Sequence, residues 1–240
     1  MEQFYKIDYI HAADIRLYAG GQWVNNTRER CPACGAFLEA TEPPEIEIQL
    51  NHLGRRGFVE YLWNSHTAPI FRADLIALWQ EAGLTGFQLK PVRITGWYEH
   101  PRKPLPENIP TYYWLTTTSK ARLTEPPPVE GPCPVCGSIE YAFPKISTHL
   151  PNGLRIDPAS WDGADFFGLV GYEFIFCTRR VAEITLKAGY NRHLAFVRVE
   201  DYLRWPKFNV REWTPKAYEE YVERFLMRRV EDLDKPTPRE

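Results

Sequence analysis

Apolar positions recur with a helical period in three places along the chain. In "FRADLIALWQEAG" (71–83), Phe71, Leu75, Leu78, Trp79 and Ala82 share one face, which predicts an amphipathic helix. Val181, Ile184 and Ala188 repeat the pattern less fully in "RRVAEITLKAG" (179–189). Each run stops at an Ala-Gly pair, and Gly83 and Gly189 suit the left-handed position that closes a helix; Thr178 is the expected N-cap of the second. A third helix is predicted over 214–231, with Thr214 as N-cap, Pro215 in the first turn and a stripe of Tyr218, Tyr221, Val222, Phe225 and Leu226. Its other face is charged, so it is expected to dock on the protein's own core, with partner binding as the alternative. Between the helices, "GFVEYLWN" (57–64), "GFQLKPVRI" (86–94), "TYYWLTTT" (111–118), "DFFGLVGYEFIFC" (165–177) and "HLAFVRV" (193–199) have the β-branched and aromatic content of strands. Proline-rich joints fall at 41–45, 98–110 and 124–132.

The order of these elements repeats. "CPACG" (31–35) precedes strand, helix and strand, and "CPVCG" (133–137) precedes the same series, with closely similar spacing from Cys34 to Gly83 and from Cys136 to Gly189. We read a divergent tandem duplication: an α+β protein of two knuckle-strand-helix-strand repeats, about 1–125 and 126–205, within a single domain spanning 1–240 that ends in the 214–231 helix. The sheet is expected to be mixed or antiparallel, with helices packed on it and the knuckles side by side.

The pentapeptide is chemically specific. A C-x-x-C turn aims two sulfurs at one point, proline fixes φ after the first cysteine, and glycine after the second permits positive φ. Two such turns supply the four thiolates of a closed tetrahedral zinc site, so Cys31, Cys34, Cys133 and Cys136 are the expected ligands of one structural, zinc-ribbon-like Zn²⁺ that clamps the repeats together. Two separate sites completed by His52, His149 or His11, and a metal-free site, are the alternatives on the metal side. Cys-Pro-x-Cys also serves thiol-disulfide oxidoreductases, but there the first thiolate begins a helix, and Gly35 and Gly137 stand where that helix would run. The fifth cysteine, Cys177 in "EFIFCT", is expected in the core.

Composition narrows the function classes. The 240 residues are 44% hydrophobic and 14% aromatic, enough for a substantial core without disulfides. No stretch reaches the roughly 18 apolar residues of a membrane span, and the start lacks a signal-peptide pattern, so a soluble, cytoplasmic protein is expected. The formal charge is −2, with no basic run longer than a pair, which argues against a nucleic-acid-binding stripe; four thiolates around one divalent ion make the surface more acidic still and favour a basic protein partner. The nucleotide-binding, hydrolase and metalloprotease signatures are missing, and no catalytic residues are assigned. Asp162 and Asp165 in "WDGADFF" could form a carboxylate pair, though an Asx-type turn before a buried strand is the simpler reading.

The paired pentapeptides, with "EAGLTGFQLKPVRI" after the first helix and "DFFGLVGYEFIFCTRRVAEITLKAGY" in the second half, resemble the double-CXXCG-motif family of bacterial toxin-immunity proteins over roughly residues 1–205. The resemblance implies a non-catalytic immunity protein that binds and neutralises a cognate protein toxin, with the metal carried by the four motif cysteines. It implies nothing about which surface meets the toxin. Trp97, Tyr98, Tyr112, Tyr113 and Trp114, in or beside the proline-rich crossover, are the candidate partner contacts. A zinc-ribbon module for nucleic acid and a thiol-disulfide oxidoreductase remain the competing functional classes.

Overall fold

The computed structural model describes residues 2–9, 19–27, 29–33, 38, 43–54, 57–64, 69–125, 132–137, 153–170, 172–202 and 215–236. The fold is α+β, as expected, with three α-helices among these residues. The chain forms two compact units that interleave in sequence: one takes Met1–Ala13, Leu84–Gly86 and Thr117–Glu240, the other Asp14–Gly83 and Phe87–Thr116. Neither is coextensive with residues 1–125 or 126–205. Among the described residues no helix is long and apolar enough to cross a membrane.

The unit containing Asp14–Gly83 is built on a closed six-stranded barrel. Its strands are β2 (Gly20–Trp23), β3 (Ile46–His52), β4 (Tyr61–Asn64), β5 (Ile70–Arg72), β6 (Phe87–Trp97) and β7 (Tyr112–Thr117), in the order β2-β3-β6-β7-β5-β4; β1 is described below. Most described pairings are antiparallel, but β2 runs parallel to β4 and β3 parallel to β6. The alternation of "IEIQLNH" in β3 turns Ile46, Ile48 and Leu50 inward, as a period of two requires. Ile46 and Ile48 pack with Trp23, Leu62, Ile70, Tyr112 and Trp114, and the Trp23 and Trp114 rings meet edge to face at 5.4 Å.

Helix α1 (Ala73–Glu81) follows β5 directly and buries Leu75, Ile76 and Trp79. Phe71, expected on this helix, instead belongs to β5: Arg72 is extended (φ −71°, ψ 146°), and Phe71 is paired with Tyr61 and Tyr113. Its ring still reaches the helix, 5.1 Å from that of Trp79. Gly83, at φ +66°, ends the helix as predicted.

The other unit carries a five-stranded sheet. β1 (Phe4–Tyr9), β8 (Lys120–Ala121), β9 (Phe166–Leu169), β10 (Tyr172–Thr178) and β11 (Leu194–Arg198) lie in the order β11-β1-β10-β9-β8, antiparallel except for β8 on β9. The N-terminal strand thus sits between two strands from the second half, with Tyr5 opposite both Cys177 and Arg198. Helix α2 (Arg179–Lys187) buries Val181, Ala182, Thr185 and Leu186, so its inward face is rotated from the predicted one: Ile184 is half-buried and Ala188 exposed. Thr178 is its N-cap by position, but its hydroxyl bonds Asp165 Oδ1 at 3.1 Å rather than the helix backbone. Gly189 closes the helix at φ +84°.

Helix α3 (Pro215–Phe225) is shorter than the predicted 214–231. Tyr221, Phe225 and Leu226 are buried in one cluster with Phe167, Phe176 and Val197, which is the expected docking on the unit's own core. Tyr221 also donates to Asp8 at 2.9 Å. Beyond the helix, Met227 exchanges two backbone hydrogen bonds with Phe196 of β11, at 3.0 and 2.8 Å. A 3₁₀ turn at Val230–Asp234 follows; Arg198 donates to the carbonyls of Leu233 (2.8 Å) and Lys235, and Arg179 pairs with Asp234 at 2.7 Å.

Candidate metal centre

The sulfurs of Cys31, Cys133 and Cys136 all lie within 4.8 Å of one another. Sulfurs about 2.3 Å from a tetrahedral zinc are about 3.8 Å apart, so this spacing fits metal ligands after a small inward rotation. All three, with Cys177, are thiols, and the three could bind a metal ion. Cys34, the fourth expected ligand, lies outside the described residues, as do Gly35, His11 and His149. His52 is described, half-buried at the end of β3, and is not in the cluster.

The described residues of the second pentapeptide form a turn. Cys133 is 9% exposed, and its carbonyl accepts the Gly137 N–H at 2.7 Å, closing the turn over 133–137. Gly137 has φ +71°, the conformation for which glycine was expected after the second cysteine. A chain at that φ cannot continue as an α-helix through Gly137, so Cys133 does not begin one as an oxidoreductase thiol does. Beside the first pentapeptide, the Leu38 N–H donates to the Glu29 carbonyl at 2.9 Å, and Cys31 is 2% exposed.

Cys177 is fully buried, as expected; burial, with the Asp165 charge nearby, pushes its thiol well above the ordinary range. The two aspartates of "WDGADFF" do different things. Asp162 makes the expected Asx turn, accepting from Ala164 N–H at 3.1 Å, and the Ser119 hydroxyl at 2.7 Å and that N–H hold its carboxyl below the usual range. Asp165 is buried and gathers four donors: Thr85 N–H (3.0 Å), Thr85 Oγ1 (3.2 Å), Thr178 Oγ1 (3.1 Å) and Arg180 (3.2 Å). It ties the Leu84–Gly86 segment to the start of α2. Sequence reasoning missed this role; the signal was an acid set directly before two phenylalanines of a buried strand.

Of the aromatic residues expected at a partner surface, Trp97, Tyr112 and Trp114 are buried and Tyr113 is half-buried. Tyr112 donates to the Val59 carbonyl at 2.7 Å, and Trp97 to that of Pro104 at 3.0 Å. Tyr98, at 52% exposed, is the one of the five that stands open to solvent. The crossover folds back on the barrel, with Lys103 over the Trp97 ring at 3.8 Å.

No protein-family model matches the chain, and none of the curated proteins compared with it is significantly similar.

Proposed function

We propose that the protein is a zinc-stabilised binding protein that neutralises a cognate bacterial toxin. The observation that carries the metal half is the convergence of the Cys31, Cys133 and Cys136 sulfurs. With Cys34 as the fourth ligand, the donor set is all thiolate, the chemistry of a closed structural zinc site, which keeps no position for an activated water. The toxin half rests on the resemblance carried by the paired pentapeptides. The absence of a basic run is consistent with a protein partner rather than nucleic acid.

In the same reading, the strand-helix-strand segments around α1 and α2 are diverged copies, each following its own knuckle. Both helices span nine residues, and both end at an alanine followed by a glycine of positive φ. A metal fixes the loops that hold it, and a preformed surface loses less free energy to ordering when it meets a partner.

Two experiments test the proposal. Metal analysis of the purified chain is expected to give about one zinc per chain, lost on Cys31→Ser or Cys133→Ser substitution. Co-expression with the toxin gene adjacent to its own is expected to rescue growth; cell death with abundant folded protein would remove the immunity assignment.

A further inference from the structure

We propose that the second knuckle is a peroxide-sensitive release point for the metal: oxidation of Cys136, followed by disulfide closure onto Cys133, ejects the ion. This rests on the metal reading above and adds a regulatory property to that site. The described motif cysteines differ in access. Cys31 and Cys133 are buried, whereas Cys136 is half-buried and follows Val135, which is 63% exposed at the tip of the turn. A small hydroperoxide therefore meets the Cys136 sulfur first, since sulfur oxidation follows exposure and thiolate character.

The resolving thiol is already in place. Cys133 Sγ lies within 4.8 Å of Cys136 Sγ in the same turn, and its carbonyl is held by Gly137 N–H. Side-chain rotation within one short turn brings the sulfurs toward bonding distance without moving any other element. The chemistry balances with a hydroperoxide as the named oxidant. The Cys136 thiolate attacks the distal oxygen, an S–O bond forms, the O–O bond breaks and hydroxide leaves, giving a sulfenic acid. The Cys133 thiolate then attacks that sulfur, an S–S bond forms and the second hydroxide leaves. Two thiolates lose two electrons in all, and the peroxide oxygens gain them. The metal is left with the first knuckle alone, half of a closed four-ligand set. Cys177, fully buried and with its thiol pushed up, is inert to the same reagent and serves as an internal reference.

The test uses full-length, zinc-loaded protein and hydrogen peroxide. Released zinc is followed with a chromogenic chelator while disulfides are mapped by mass spectrometry after alkylation in denaturant. The expected result is zinc release in step with a Cys133–Cys136 disulfide, Cys177 still reduced, and recovery on adding a dithiol reductant and zinc. Cys136→Ser is expected to slow release at least about tenfold, and the peptide time course on unaltered protein keeps the proposal falsifiable if that variant binds zinc poorly. Zinc loss with Cys136 stopped at sulfinic acid, with a disulfide to Cys31, or with the 133–136 disulfide absent would overturn the proposal, as would zinc retained after the disulfide has formed. Protein purified without zinc fails before any peroxide is added, which marks failure of the metal reading itself.

Discussion

Replacing Asp232 by Asn tests whether charge anchors the C-terminal turn. The carboxylate is 6% exposed; Oδ2 accepts the N–H groups of Arg228 (3.0 Å) and Arg229 (2.9 Å), and Oδ1 pairs with Lys235 (2.8 Å) and Arg229 (3.2 Å). Burial pushes its pKa up, but the Lys235 ammonium and the other donors outweigh that and bring it from an ordinary 3.8 down to about 2. A depressed folded-state pKa contributes stability that is complete above the unfolded value and is lost as pH falls toward the folded one. The full shift corresponds to about 2.4 kcal/mol, which the mainly solvent-exposed Lys235 and Arg229 reduce to about 1.5 kcal/mol at neutral pH. By linkage, about 0.6 kcal/mol of that survives at pH 3. Urea unfolding of the native chain and Asp232→Asn, in parallel at pH 7, 5 and 3, gives the difference directly, because acid effects elsewhere in the chain are common to both proteins. The two curves are expected to differ by about 1.5 kcal/mol at pH 7 and about 0.6 kcal/mol at pH 3. A gap that stays constant with pH would show that the carboxylate acts through shape and not charge.

Three further outcomes are expected. Asp165→Ala strands the Thr85 N–H and the Thr178 hydroxyl and should cost about 3 kcal/mol in urea unfolding, with Asp165→Asn milder; equal losses would contradict the hydrogen-bond account. Gly153→Ala sets a Cβ 1.8 Å from the Glu200 carbonyl oxygen at a φ of +70°, so a melting temperature unchanged from the native chain would refute that close approach. With the proposed metal bound by the cysteine cluster, chelation, or Cys133→Ser, should lower the melting temperature by several degrees while far-ultraviolet dichroism at 25 °C changes little, because each unit has its own buried core.

The parts of this fold that are legible in sequence are those set by near neighbours. α1 is readable from its apolar spacing, both α1 and α2 from the glycines that end them, and the three converging cysteines from a repeated pentapeptide. The start of α1 is not legible, because Phe71 fits a helical period equally well as the last inward residue of a strand; pairing with Tyr61 and Tyr113 of the neighbouring strands decides between them. The barrel closes through the parallel β2–β4 and β3–β6 pairs, and β1 inserts between β10 and β11. Such partners are chosen by long-range packing, which no local pattern encodes. The aromatic run around Tyr112–Trp114 misled in the same way: a proline-rich joint suggested solvent, yet alternate side chains of a barrel strand point into its core.

The two backbone bonds between Met227 and Phe196 have a consequence for how this protein meets others. They occupy the outer margin of β11, the place where a foreign chain would otherwise add itself as a sixth strand, while the barrel, being closed, offers no such margin at all. Recognition at those places must therefore use side chains and loops rather than shared main-chain ladders. At the β11 edge the same arrangement removes a template for the edge-to-edge stacking that begins fibrils.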